Sequence, residues 1–263
     1  METETIAIPS LPQDIIDEIV GHLITDSAVT SLRSCSLVSK SWAPPCQRQL
    51  FRTVTFASND VERWLKTFPV PEETPARHVR DLRLWIGGHN RVPEKIFEYT
   101  PSFTNMQSLS LMGYWGSPPL QIPLVWGLPL SVTSLTVNTN VVTLVQIRDI
   151  LAQLPNLSNL SLSGFPVPVD VKSLVGIGAA LKGGFAERLK LCGGYAHEDA
   201  VNMLLEVPTG LHFTEAQIRS TRKFLPSAVR LVEACRETLV KLSQTVTFQL
   251  EGLSHPFSWS PWL

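Results

Sequence analysis

Six histidines, four cysteines and one His-Glu-Asp tripeptide are the residues of this 263-residue chain whose types could carry bond-making chemistry. Their spacing decides whether they do. A zinc hydrolase needs two histidines one helical turn apart, so that both nitrogens reach one ion. His22, His78, His89, His197, His212 and His255 never stand four apart. Cys35, Cys46, Cys192 and Cys235 form no Cys-x-x-Cys pair, which argues against a zinc knuckle or a redox dithiol. His197-Glu198-Asp199 reads as the acidic start of a helix rather than a metal site. Neither a G-x-S-x-G nucleophile elbow nor a phosphate-cradling P-loop occurs. Gly176-Ile177-Gly178 begins like a dinucleotide loop, but the place of its third glycine holds Leu181. Arg219, Arg222, Lys223 and Arg230 read as a solvated helix face, with a phosphate-reading role as the sharper alternative. Asn156-Leu157-Ser158 and Asn159-Leu160-Ser161 match a glycosylation sequon by chance, since both fall on a repeat strand. The residues therefore predict no enzyme: no catalytic group, no metal and no cofactor.

Composition narrows the partners. The net charge is −1, which argues against a polybasic nucleic-acid binder. No apolar run approaches the roughly 18 residues that span a bilayer, so no membrane partner is expected. The chain opens Met1-Glu2-Thr3-Glu4 and its first basic residue is Arg33, unlike a secretory leader. The expected location is cytoplasmic, nuclear or both. Hydrophobic residues at 44% against charged residues at 17% imply a folded chain with a real core.

The elements that would position any site fall into two kinds. Over 11–24 the apolar residues Ile15, Ile16, Ile19, Val20, Leu23 and Ile24 step by three and four, the spacing of one helical face. Pro12 suits the first turn, where a missing N–H costs nothing. Asp26 and Ser27 are good caps for a second helix through Val29 and Leu32. A third helix is expected from Ser36 to Trp42, ended by Pro44-Pro45, with a short restart toward Leu50. Phe51–Phe56 then alternates like a strand. Such a three-helix unit buries too little surface to be stable by itself.

Beyond residue 54 a Leu-x-Leu pattern recurs. Its copies begin at Val54, Leu82, Leu109, Leu135, Leu160, Leu189, Leu211 and Leu239. The shortest step is from Leu189 to Leu211, and the mean step of roughly 26 lies within the range of leucine-rich repeats. Helical returns are expected over Asp60–Phe68, Glu94–Tyr99, Leu144–Leu154, His197–Leu205 and Ala228–Glu237. Pro118, Pro119, Pro123 and Pro129 make 115–130 an irregular return instead. Strand and return at constant period predict a parallel sheet with right-handed crossovers. One unit cannot bury its apolar face, so the units must stack. The tail 251–263 is aromatic, proline-rich and expected to be poorly ordered. It offers no polar cap, and a truncated end is favoured over a tail folded back as a cap.

The segment 10–56 resembles an F-box. The resemblance rests on Leu11-Pro12, Asp14, Ile16, Ile19, Leu23, Leu32, Cys35, Leu37-Val38-Ser39-Lys40, Trp42 and Leu50-Phe51. The wording CSLVSKSW, then Pro-Pro-Cys and LFRTVTF, is similar to F-box proteins of mushroom-forming fungi. The resemblance implies a partner rather than a reaction: a Skp-type adaptor that bridges to a cullin–RING ubiquitin ligase. The matching contact positions are Leu11, Pro12, Ile15, Ile16, Ile19, Leu32, Val38, Ser39 and Trp42. Trp42 reads either as the interface anchor or as a core tryptophan. Leucine-rich repeats behind an F-box imply a substrate-recognition module. Its candidate contacts are Arg83, Trp85, Tyr114, Trp115, Lys190 and His212, for an unknown protein substrate. For the aromatics among them, packing within loops is the alternative role.

The expected fold is therefore α/β. An F-box over 1–56, with its core at 10–50, precedes a curved solenoid of about seven to eight irregular leucine-rich repeats over 57–250. The expected function is substrate recognition for an SCF-type E3 ubiquitin ligase. The alternatives are a non-catalytic repeat scaffold acting outside a ligase and, more remotely, a hydrolase or transferase with an unrecognised site.

Overall fold

The computed structural model describes residues 11–23, 29–70, 74–86, 95–113, 126–138, 142–164, 187–193, 198–206 and 210–247. The expected tail at 251–263 lies outside them. Helices α1 (Gln13–His22), α2 (Val29–Ser36) and α3 (Ala43–Leu50) come first. Ile16, Val20, Leu32 and Cys46 form a small core of their own, with Leu23, Cys35, Trp42 and Leu50 packed around it. The third helix differs from expectation. Residues 37–42 are turns, and α3 begins at Ala43 with the prolines in its first turn. Proline lacks only an N–H that this turn leaves unused, and its fixed φ suits the helix, so the pair starts the helix rather than ending one.

Eight parallel strands follow: β1 (Thr53–Phe56), β2 (Asp81–Ile86), β3 (Ser108–Gly113), β4 (Ser134–Asn138), β5 (Asn159–Gly164), β6 (Arg188–Gly193), β7 (Glu215–Thr221) and β8 (Lys241–Thr247). They make one open sheet in strict chain order, with β1 and β8 at its edges. Side chains alternate across a strand, so one face takes Leu82 and Leu84, Leu109 and Leu111, Leu135 and Val137, Leu160 and Leu162, Leu189 and Leu191. Helices α4 (Ser58–Thr67), α5 (Lys95–Tyr99), α6 (Leu144–Ala152), α7 (Glu198–Leu205) and α8 (Leu225–Ala234) supply the other half of the same core. Val61, Ile96, Ile147, Val201 and Leu231 are among their deepest contributions. Among the described residues, helices thus cover one face and leave the other open.

Two strands lie later than the Leu-x-Leu pattern predicts. Leu189 pairs with Ala216 and Ala216 with Leu242, so the seventh strand is Ala216-Gln217-Ile218 and not Leu211-His212-Phe213. The steps from Leu189 to Ala216 and from Ala216 to Leu242 are nearly equal, so the short step at Leu211 disappears and the period becomes more even. Leu211 and Phe213 are buried just before β7, so they mimic the motif by packing rather than by pairing.

The strand entrances are tied together. The carbonyl of Arg52 accepts the amides of Arg80 and Asp81, and that of Arg80 accepts Gln107 and Ser108. The same double acceptance continues through Gln107, Thr133, Ser158, Glu187 and Thr214 at 2.8–3.1 Å. Seven carbonyls in one row therefore fix the register at the sheet's N-terminal rim.

Between β3 and β4 the described part of the return, 126–133, contains no helix. Trp126 is buried there against Phe97, edge to face at 4.7 Å, and donates Nε1–H to Thr100 Oγ1 at 2.8 Å. Gly127 follows at φ +63°, where a Cβ would stand 3.2 Å from Pro101 Cγ. A left-handed residue beside a ring is a place for glycine.

Helix α6 carries its own start signal. Thr143 Oγ1 accepts the Gln146 amide at 3.1 Å, and Gln146 Oε1 accepts the Thr143 amide at 2.9 Å. This reciprocal cap satisfies two otherwise orphaned donors. Thr143→Ala should cost about 1 kcal/mol. Thermal melting should then fall by about 2–4 °C; an unchanged melt would show that the cap contributes nothing.

Candidate functional site

The open sheet face is built by register. Outward from β3, β4 and β5 project only Ser108, Ser110, Met112, Ser134, Thr136, Asn138, Asn159, Ser161 and Ser163. Charge sits to either side: Asp81 and Arg83 on β2, then Arg188, Lys190, Glu215, Arg219 and Lys241 on β6 to β8. A cavity of about 460 Å³ lies on this face from β4 to β8. Within it Glu215 pairs with Arg188 at 3.2 Å and Lys241 at 3.8 Å. These pairs are exposed and add little stability. Lys190 has no ion-pair partner among the described residues, so this end of the face is net positive. Hydroxyls and amides backed by a rigid sheet suit an extended polypeptide, and the β6–β8 end suits acidic side chains.

Of the expected substrate contacts, Arg83 and Trp85 stand two residues apart on the open side of β2, and Lys190 and His212 lie away from them. Arg83 and Lys190 share one outward row, but three strands separate them. At ~4.8 Å per strand that is roughly 19 Å. Trp85 is half-buried within β2, in register with Met112, and not in a loop. His212 is exposed but precedes β7, and Gln217 occupies the sheet position beside Lys190. Tyr114 and Trp115 lie outside the described residues, as do His89 and Tyr195. The basic cluster disperses: Arg219 projects from the open face, while Arg230 on α8 reaches Glu198 on α7 at 3.8 Å.

The N-terminal unit presents a second surface. Leu11, just before α1, and Ile15 and Ile19 within it step by four and are 49%, 40% and 38% exposed. Val29, Leu37 and Val38 are exposed as well. Pro12 and Ser39 are exposed, and Ser39 Oγ lies 2.7 Å from Ser41 Oγ. Of the expected contact residues, Ile16 and Leu32 are buried in the unit's own core. Trp42 is half-buried against that core. Val29 and Leu37 are missing from the sequence-based set, although both are apolar residues at a helix start or in a turn.

Among the described residues no group of three or more His, Cys, Asp or Glu side chains is placed to hold a metal. None of their helices is long and apolar enough to cross a membrane. Burial pushes the Cys46 and Cys235 thiols up from their ordinary range. Cys192 sits partly exposed on β6. A thiol reagent should modify Cys192 in the folded protein but reach Cys46 and Cys235 only in denaturant. Native labelling of Cys46 at the rate of Cys192 would contradict the burial.

No protein-family model matches this chain, and a search of curated proteins finds no match.

Proposed function

We propose that the protein is a substrate receptor of an SCF-type, cullin–RING E3 ubiquitin ligase. In this reading the F-box-like helices dock a Skp-type adaptor, and the leucine-rich-repeat-like sheet holds the target protein. The observation that carries it is the apolar surface of Leu11, Ile15, Ile19, Val29, Leu37 and Val38 on a unit whose apolar core, among the described residues, is Ile16, Val20, Leu32 and Cys46. An apolar surplus on a small helical unit favours a partner. The protein would make and break no bonds. It would raise the concentration of its target beside a charged conjugating enzyme.

Support for the second half is the open face of small polar residues, wide enough to take an extended segment across eight strands. The test is co-expression with a Skp-type adaptor, followed by a sizing column. A one-to-one complex supports the reading. A folded chain that elutes alone leaves the alternative, a binding scaffold that works outside a ligase.

A further inference from the structure

A cavity of about 530 Å³ opens where the N-terminal helices meet the first strands. Its lining includes Arg48 on α3, Arg52 just after it, Arg77 and His78 in the short 3-10 turn 75–78, and Arg80 at the entrance to β2. These residues come from two short runs, 48–52 and 77–80, and the fold brings the runs to one cavity. Among the described residues Asp17 is the one carboxylate in the lining, and it holds Arg48 at 3.1 and 3.2 Å. Arg52, Arg77 and Arg80 have no carboxylate partner among the described residues.

The backbones of two of these arginines are held close together. Arg52 and Arg80 are successive members of the carbonyl row at the strand entrances, so the backbone seats them on neighbouring strands. Neighbouring strands lie about 4.8 Å apart. Like charges placed opposite each other across a sheet are destabilising. The next members of that row, Gln107 and then Thr133, are neutral donors, and Gln107 also lines the cavity. His78 reports the same field. Burial first, then the Arg77 and Arg48 guanidiniums, hold its pKa below the ordinary 6.5. Among the described residues four guanidiniums stand against one carboxylate, an excess of about three positive charges.

We propose that this cavity is an anion site for a diphosphate group. Guanidinium forks match phosphate oxygens two at a time. A single phosphate would leave much of the cavity and one or more guanidiniums unused. A diphosphate carries close to the opposite charge and can span Arg52, Arg80 and Arg77 together. The concave shape suits a small ligand, and bound there it would tie the helical unit to the sheet. The site is independent of the ligase reading.

The experiment is calorimetry and thermal melting of the full chain with pyrophosphate, at constant ionic strength set by sodium chloride. Saturable one-to-one binding and a melting temperature that rises with ligand are expected. Arg52→Gln and Arg80→Gln should each weaken binding at least tenfold. Both side chains are exposed and the carbonyl row uses only backbone, so both variants should fold, with unliganded melting temperatures at or above that of the parent. Arg236→Gln, exposed in the turn after α8 and outside both cavities, should leave binding unchanged. ADP and pyrophosphate arms separate the sources: ADP binding the tighter assigns the diphosphate of a nucleotide, and pyrophosphate binding the tighter assigns a free diphosphate. No saturable heat with either overturns the proposal. So does equal stabilisation by sodium chloride alone, or full affinity in both arginine variants.

Discussion

Ile15→Asp and Val38→Asp should each abolish co-elution with a Skp-type adaptor while leaving the folded chain intact. Ile15 is 40% exposed and Val38 66% exposed, so an aspartate at either place stays solvated in the free protein. Such surface changes usually alter stability by no more than about 0.5 kcal/mol. In a complex the same carboxylate would be buried against apolar side chains without a partner, which costs several kcal/mol. A loss of about 1.4 kcal/mol is tenfold in affinity, so a complex of ordinary strength falls out of reach of a sizing column. Ile16→Ala gives the contrast. It empties a fully buried site and should cost about 2–5 kcal/mol of stability, enough to threaten a unit this small. Trp42→Ala mixes both effects, since Trp42 packs on that core. Retained co-elution in both aspartate variants would move the docking surface elsewhere or end the ligase reading.

Trp126→Ala should be among the most destabilising single changes in the sheet domain, at about 3–5 kcal/mol by urea unfolding. The indole is buried, packs edge to face on Phe97 and gives its N–H to Thr100. It plugs the core where the described part of this return offers no helix to do so. Thr100 still donates to the Ile96 carbonyl at 3.1 Å, so the loss is mainly of packing. Trp126→Phe keeps most of the ring and removes the hydrogen bond, for about 1 kcal/mol. A Trp126→Ala cost near that of the phenylalanine variant would show that the site collapses around the gap.

The regular part of this fold is legible in its leucines. Six of the eight strands fall where Leu-x-Leu or its Val-x-Phe variant places them, because each must turn two apolar side chains to one face. The pattern fails at β7, where Ala216 replaces the first leucine and Leu211-x-Phe213 supplies a nearby imitation. At β8 it places the strand early, at Leu239. A degenerate motif reads apolar residues and cannot tell pairing from packing. Pro44-Pro45 misleads for a related reason: proline marks a helix boundary without saying which end. On the N-terminal surface, spacing finds the stripe Leu11, Ile15 and Ile19 but not that Ile16 turns inward, since all four sit on adjoining helical positions. The arginine cavity is not legible in sequence because it joins two runs, 48–52 and 77–80, that meet only through the fold.

The strand order never departs from the chain order, and every strand pairs only with its neighbours in sequence. Width is therefore a matter of counting. Duplicating one internal period would insert one more strand and its return, joined by the same kind of neighbour contact, with no connection re-threaded. Each such insertion would widen the open face by about 4.8 Å and add a new column of outward residues. A binding surface built this way can be lengthened or re-lettered column by column, while the buried leucines that hold it together stay the same.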